Sequence, residues 1–127
     1  MKLCSFFVLI FTSTILLAQN ISQSEALSLA QKFMTAKSAR SETIKAVSYA
    51  EKGLENLYFF TNEENTSFVV IAGNKAVPPV VAYSFESGLG AELPPPVEAY
   101  FLGCEAGIKK AIDKSLAPDA KVSEEWK

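Results

Sequence analysis

Side chains able to do covalent or metal chemistry are few in this chain and poorly spaced. There is no histidine among the 127 residues. That removes the Ser-His-Asp and Cys-His nucleophilic arrangements and every His-ligated metal site. Cys4 and Cys104 are the only thiols, so neither a CxxC redox pair nor a four-ligand Cys/His zinc site can be built. The acid pairs Glu63-Glu64 and Glu124-Glu125 are chain neighbours, a spacing that reads as solvated charge rather than a general acid/base pair. There is no G-x-G-x-x-G and no P-loop. Asn20-Ile21-Ser22 and Asn65-Thr66-Ser67 fit the N-glycosylation pattern, a short pattern that arises often by chance. Twelve Lys+Arg against fourteen Asp+Glu give a net charge of −2, with no basic excess to draw the chain toward nucleic acid or an anionic membrane. Composition, 49% hydrophobic and 20% charged, thus points away from an enzyme and toward a small binding or structural domain with no cofactor.

The first residues are expected to lie outside the fold. Met1-Lys2 is a short positive start, Leu3 to Leu17 is apolar and uncharged, and Ala18-Gln19 leads into polar sequence. This is the layout of a secretory signal peptide cut after Ala18, leaving residues 19–127 as one domain, secreted or periplasmic. The rival is a transmembrane anchor, but the run of about 15 residues is short of the ~20 needed to span a bilayer, and no positive cluster follows it. Cys4 sits at the start of the apolar run, not at its end, which rejects lipidation. Cys104 then remains without an internal partner, so the domain must be held by its core, and a chain of ~100 residues can bury enough surface for one fold.

The remaining elements read as helix, four strands, helix. Ser22 and Glu25 form a capping box, with Ile21 and Ala26 as a hydrophobic staple. Ala26, Leu27, Ala30, Phe33 and Met34 then share one face of a 3.6-residue helix that ends near Lys37. Strands are expected over Thr43–Ala50, Leu57–Thr61, Ser67–Ala72 and Pro79–Ser84, the third buried on both faces. The short turns between them favour antiparallel neighbours. A second helix starts at the prolines, with Val97, Tyr100, Phe101, Cys104, Ile108, Ala111 and Ile112 on one face. Cys104 lies in that stripe and reads as a small buried hydrophobe, not a reactive thiol. Gly103 and Gly107 each cost the helix roughly 1 kcal/mol relative to alanine, and suggest close approach of another element. Ala117 to Lys127 is expected to fray, Trp126 excepted. The fold class is α+β: an antiparallel four-stranded meander flanked by an N-terminal and a C-terminal helix. Between sheet and last helix, Phe85 to Pro96 carries Gly88, Gly90 and the stiff run Pro94-Pro95-Pro96. It is either a plain linker or a presented recognition loop.

Three segments in order carry a resemblance: Leu57-Tyr58-Phe59-Phe60, then Ser67 to Asn74 (SFVVIAGN), then Val77 to Ser84 (VPPVVAYS). They resemble the prodomain of streptopain-type secreted cysteine proteases. Leu93 to Val97, Tyr100-Phe101 and Ile108-Lys109 resemble its following segment, and Ser24 to Phe33 its first helix. The match runs from about Ser22 to Ile112, and its specificity lies in order and spacing rather than in one motif. Because no catalytic domain follows, the chain resembles the freestanding Spi-type inhibitors. The resemblance implies noncovalent inhibition of a streptopain-type cysteine protease, with the active-site cleft occupied as a prodomain occupies it in the zymogen. The family often has asparagine where this chain has Pro96; in the streptopain zymogen that residue disturbs the catalytic histidine. Proline cannot make those contacts, so steric blockade is the mode implied here, with Glu92, Leu93, Pro94, Pro95 and Pro96 as protease-binding residues. The alternatives are a non-inhibitory periplasmic interaction module and a truncated zymogen prodomain. None of these readings involves nucleic acid, a metal or, after cleavage of the leader, a membrane.

Overall fold

A computed structural model describes residues 19–38 and 42–127. The expected signal peptide, residues 1–18, and Cys4 within it lie outside the described residues. Helix α1 (Gln23–Ser38) begins at the expected cap, with the Ser22 half of the capping box formed. The Ser22 hydroxyl accepts from the Glu25 amide at 3.2 Å, satisfying one of the donors a helix start leaves orphaned. At the other end the Ser38 hydroxyl donates to the Met34 carbonyl at 2.6 Å. Ala26, Ala30 and Met34 are completely buried. Leu27, expected on the same face, is 39% exposed. At about 100° per residue it stands just beyond Met34 at the rim of the buried arc, while Leu29 and Phe33 pack on the opposite side.

Strands β1 (Ile44–Val47), β2 (Leu57–Asn62), β3 (Phe68–Ala72) and β4 (Val80–Ser84) form one sheet in sequential order, every pair antiparallel. The α+β meander expected from the short turns is therefore the observed fold. Period-two alternation sends Leu57, Phe59, Val70 and Ala72 to one face and Phe60, Val69 and Ile71 to the other. The second set packs under α1. The first meets helix α2 (Pro95–Asp113) through Phe101 and Ile108. The sheet is thus the middle of three layers, which explains why β3 is an unbroken apolar run: Val69, Val70, Ile71 and Ala72 are all fully buried. One irregularity lies in β4. Val70 pairs with Ala82 and Ile71 with Val80. Val81 is the extra residue of a bulge, and it joins Ala82 on the α2 side.

Strand β1 is shorter than its β-branched pattern suggested. After Val47 the chain leaves the sheet, turns Tyr49 into the core and closes a single 3-10 turn over Ala50–Lys52. That turn ends on Gly53 at φ 83°, a left-handed position where glycine carries no Cβ penalty. The glycines of α2 also differ from expectation. No neighbouring element comes within 4 Å of where a Cβ would stand on Gly103 or Gly107. The close approaches occur instead at Gly73, where a Cβ would stand 2.8 Å from the Asn56 carbonyl oxygen, and at Gly88, which abuts Asn65.

The C-terminal residues do not fray. Helix α2 stops in a Schellman arrangement: Ser115 is left-handed at φ 51°. The Leu116 amide donates to Ala111 O at 2.9 Å and the Ser115 amide to Ile112 O at 3.0 Å. A short helix α3 (Ala120–Glu125) follows, capped by Asp119, whose carboxylate accepts from the Val122 amide at 2.8 Å. Trp126 explains why so polar a segment stays put. Its ring packs against both cores and its indole N–H donates to Val77 O at 2.8 Å, giving the aromatic body and the polar tip each a partner. Among the described residues no helix is long and apolar enough to cross a membrane.

Candidate functional site

The loop that carries the chain from β4 to α2 is tethered at every turn. The Ser84 hydroxyl accepts from the amides of Glu86 (3.1 Å) and Ser87 (3.2 Å), bending the chain away from the sheet. Asn65, at the tip of the β2–β3 hairpin and left-handed at φ 53°, then grips the loop backbone. Its side-chain oxygen accepts from Leu89 N and its nitrogen donates to Leu89 O, both at 2.9 Å. The amide thereby copies the two-bond pairing of a strand neighbour. One residue later the Tyr49 hydroxyl donates to Gly90 O at 2.5 Å. Lys52 then reaches the Glu92 carboxylate at 3.1 Å.

Apolar anchors act between these polar ties. Leu89 and Leu93 are 8% and 5% exposed and belong to the core beneath α2. Of the five residues expected to bind a protease, Leu93 therefore faces inward and anchors the turn. Glu92, Pro94, Pro95 and Pro96 are exposed and adjacent. Pro94 is extended (φ −56°, ψ 142°), and Pro95 and Pro96 are the first two residues of α2. The helix has no side-chain cap there, and the prolines explain why it needs little. Two of the amides that would be orphaned do not exist, and Glu98 N returns to Pro94 O at 2.9 Å. The rigidity of the exposed ridge thus comes from three pyrrolidine rings with a buried leucine under them.

Helix α2 is fixed by a group that apolar periodicity overlooks. Glu105 is 2% exposed, and its two carboxylate oxygens accept from Asn56 N and Asn56 Nδ2, each at 2.6 Å. Asn56 in turn accepts from Gly73 N at 2.8 Å. One buried carboxylate so ties the helix to the start of β2 and to the end of β3. Aromatic packing continues the link: Tyr49 meets Phe59 edge-on at 4.9 Å, and Phe59 meets Phe101 at 5.2 Å.

The charge around the ridge is acidic. Hydrogen bonding to Glu92 raises the Lys52 ammonium above its usual range, and the negative charges of Glu92, Glu98 and Glu51 add to this. Burial raises the Tyr49 phenol, with the nearby Lys52 charge opposing. The Tyr49 hydroxyl therefore keeps its proton, and its bond to Gly90, across the neutral range.

Elsewhere the candidate chemistry dissolves into structure. Tyr100 and Cys104, expected on the buried face, line an apolar cleft of about 370 Å³ between β4 and α2. Tyr100 is 54% exposed and its hydroxyl donates to Val81 O at 3.2 Å, covering an acceptor on the sheet's edge. The neighbouring Cys104 raises the Tyr100 phenol. Among the described residues no group of three acidic or thiol side chains could hold a metal ion. Of the two glycosylation patterns, Asn65 has its amide nitrogen engaged with Leu89. The Asn20 side-chain oxygen accepts from Asn74 at 2.8 Å.

A family model described as Spi protease inhibitor matches residues 18–106. The chain belongs to the Spi protease inhibitor family. The matched span takes in α1, the whole sheet, the tethered loop and α2 as far as one residue past Glu105. No curated protein and no solved structure matches the chain. Family membership makes this an inhibitor of a protease, not an enzyme. The residues that sequence reasoning missed, Tyr49, Lys52, Asn65 and Glu105, all support the ridge and its helix from behind. Of these, Asn65 alone stands in a sequence motif, the Asn65-Thr66-Ser67 glycosylation pattern.

Proposed function

We propose that the processed protein, residues 19–127, is a secreted or periplasmic inhibitor of a streptopain-type cysteine protease, and that it blocks the active-site cleft noncovalently, as a prodomain does. The observation that carries this reading is the exposed ridge Glu92, Pro94, Pro95 and Pro96, fixed, together with the loop before it, by a buried leucine and by side-chain ties from two other parts of the chain, the Tyr49–Lys52 turn and Asn65. Preorganisation of this kind lowers the ordering cost of docking. The ridge also suits a cleft that cuts peptides. Each of the bonds Leu93–Pro94, Pro94–Pro95 and Pro95–Pro96 ends on a tertiary amide nitrogen whose ring fixes φ, which opposes the backbone geometry of a substrate. Family membership supports a protease as partner, and the prodomain-like order of the β2, β3 and β4 segments supports the streptopain type. The decisive experiment is titration of purified residues 19–127 against a streptopain-type protease from the same source. Stoichiometric loss of activity is the expected result; full protease activity at micromolar excess of inhibitor rejects the proposal.

A further inference from the structure

We propose that Asn65 is a positioning residue that keeps the protein an inhibitor and prevents it from becoming a substrate, by clasping the loop ahead of the proline ridge. This rests on the cleft-blocking function proposed above. A protease cuts backbone that it can draw out into an extended strand. The prolines protect the bonds that end on their own nitrogens, but they do not protect the stretch from Phe85 to Leu93, which contains no proline. Gly88 and Gly90 lie within that stretch, and glycine backbone is the easiest to deform. Three of its backbone groups are instead held from outside. Asn65 occupies both backbone groups of Leu89, Tyr49 occupies the carbonyl of Gly90, and Leu89 is buried between them. Gly88 packs so closely against Asn65 that a Cβ there would collide with it, so the glycine that weakens the loop is also what admits the clasp. The hairpin tip that supplies Asn65 is itself fixed. The Asn62 side chain accepts from Thr66 N at 2.8 Å and Ser67 N at 3.2 Å. To be drawn out, the loop must give up the Asn65 and Tyr49 bonds together.

The substitution Asn65→Gly isolates the clasp. Glycine adopts φ near 53° without strain, so the hairpin turn is kept while both side-chain bonds are lost. The protein, expressed with its full sequence, is exposed first to subtilisin and the fragments are mapped by mass. N65G is expected to be cut between Phe85 and Leu93 at least tenfold faster than the original protein. Tyr49→Phe, which removes a single tie, should fall between the two. Asn65→Asp keeps the acceptor for Leu89 N but sets a second oxygen against Leu89 O, so it should protect the loop less well than asparagine. In a second arm, a streptopain-type protease is expected to cleave N65G in the same stretch, so that its inhibition decays with time while that of the original protein holds. Equal cleavage rates for N65G and the original protein, or faster cleavage confined to other segments, overturn the proposal, as does an N65G protein that stays whole and inhibitory in the second arm. If N65G is cut faster by subtilisin but the original protein leaves the cysteine protease fully active, the inhibitor reading fails and the clasp stands.

Discussion

Glu105→Gln tests the link between the buried helix anchor and the rest of the fold. The native carboxylate receives two donors, Asn56 N and Asn56 Nδ2, both at 2.6 Å, in a residue 2% exposed. A hydrogen bond to a charged acceptor contributes about 1.5–3 kcal/mol, and a buried donor left unpaired costs about 1–3 kcal/mol. Glutamine fits the same space but offers one oxygen, so one bond survives in neutral form while the new NH2 faces a donor. The expected loss is about 2–4 kcal/mol, which for a domain of this size lowers Tm by roughly 10–20 °C. Asn56→Ala removes the Nδ2 donor and leaves one carboxylate oxygen unpaired, and should cost about 1.5–3 kcal/mol. Because the two residues share one interaction, the double variant should fall short of the sum by 1 kcal/mol or more. Urea denaturation of the four proteins supplies the cycle. A loss below about 0.5 kcal/mol for E105Q, or simple additivity, would refute the claim that this carboxylate holds α2 to the sheet.

Other outcomes follow from the same geometry. Leu93→Ala should destabilise by about 2–5 kcal/mol as a core truncation, whereas replacing Pro94, Pro95 and Pro96 together by serine should weaken inhibition at least tenfold, about 1.4 kcal/mol, with a much smaller change in Tm; thermal melts and inhibition constants separate the two. Lys52 and Tyr49 both titrate above their usual values in the folded protein. Each contribution is complete below the unfolded pKa, about 10 for both, and is lost as pH rises through the folded value. Loop protection measured by limited proteolysis should accordingly hold from pH 6 to 9 and fail in more alkaline solution. Gly103→Ala and Gly107→Ala meet open space and should each stabilise by about 0.5–1 kcal/mol, seen as a rise in denaturation midpoint.

The layers of the fold were legible because period carries them. The Ser22–Glu25 cap, the continuous apolar run of β3 and the short turns led directly to α1, a twice-covered strand and an antiparallel meander. What sequence could not show was polar recognition across long separations. Tyr49 and Gly90 are 41 residues apart, as Asn56 and Glu105 are 49, and no local pattern announces such pairs. Glu105 even occupies a core position, where periodicity expects an apolar side chain. The ridge itself was half legible: proline stiffness can be read from the letters, but the inward turn of Leu93 depends on a pocket assembled by β2, β3 and α2. Trp126 stands out in the sequence as a lone aromatic in a polar tail, but its hold on the whole segment depends on Val77 O, 49 residues away.

The sequential strand order also has a kinetic side. Each strand pairs with the one made just before it, so the sheet can zip from hairpin to hairpin without waiting for distant strands, and the loops it closes are short. The proline ridge is different. Its polar ties come from the Tyr49–Lys52 turn and the hairpin tip, and its leucine rests in the core under α2, so it can set only when all of them have arrived. The surface proposed to meet the protease should therefore be the last part of the molecule to mature, and it cannot engage anything while the body is still unfinished.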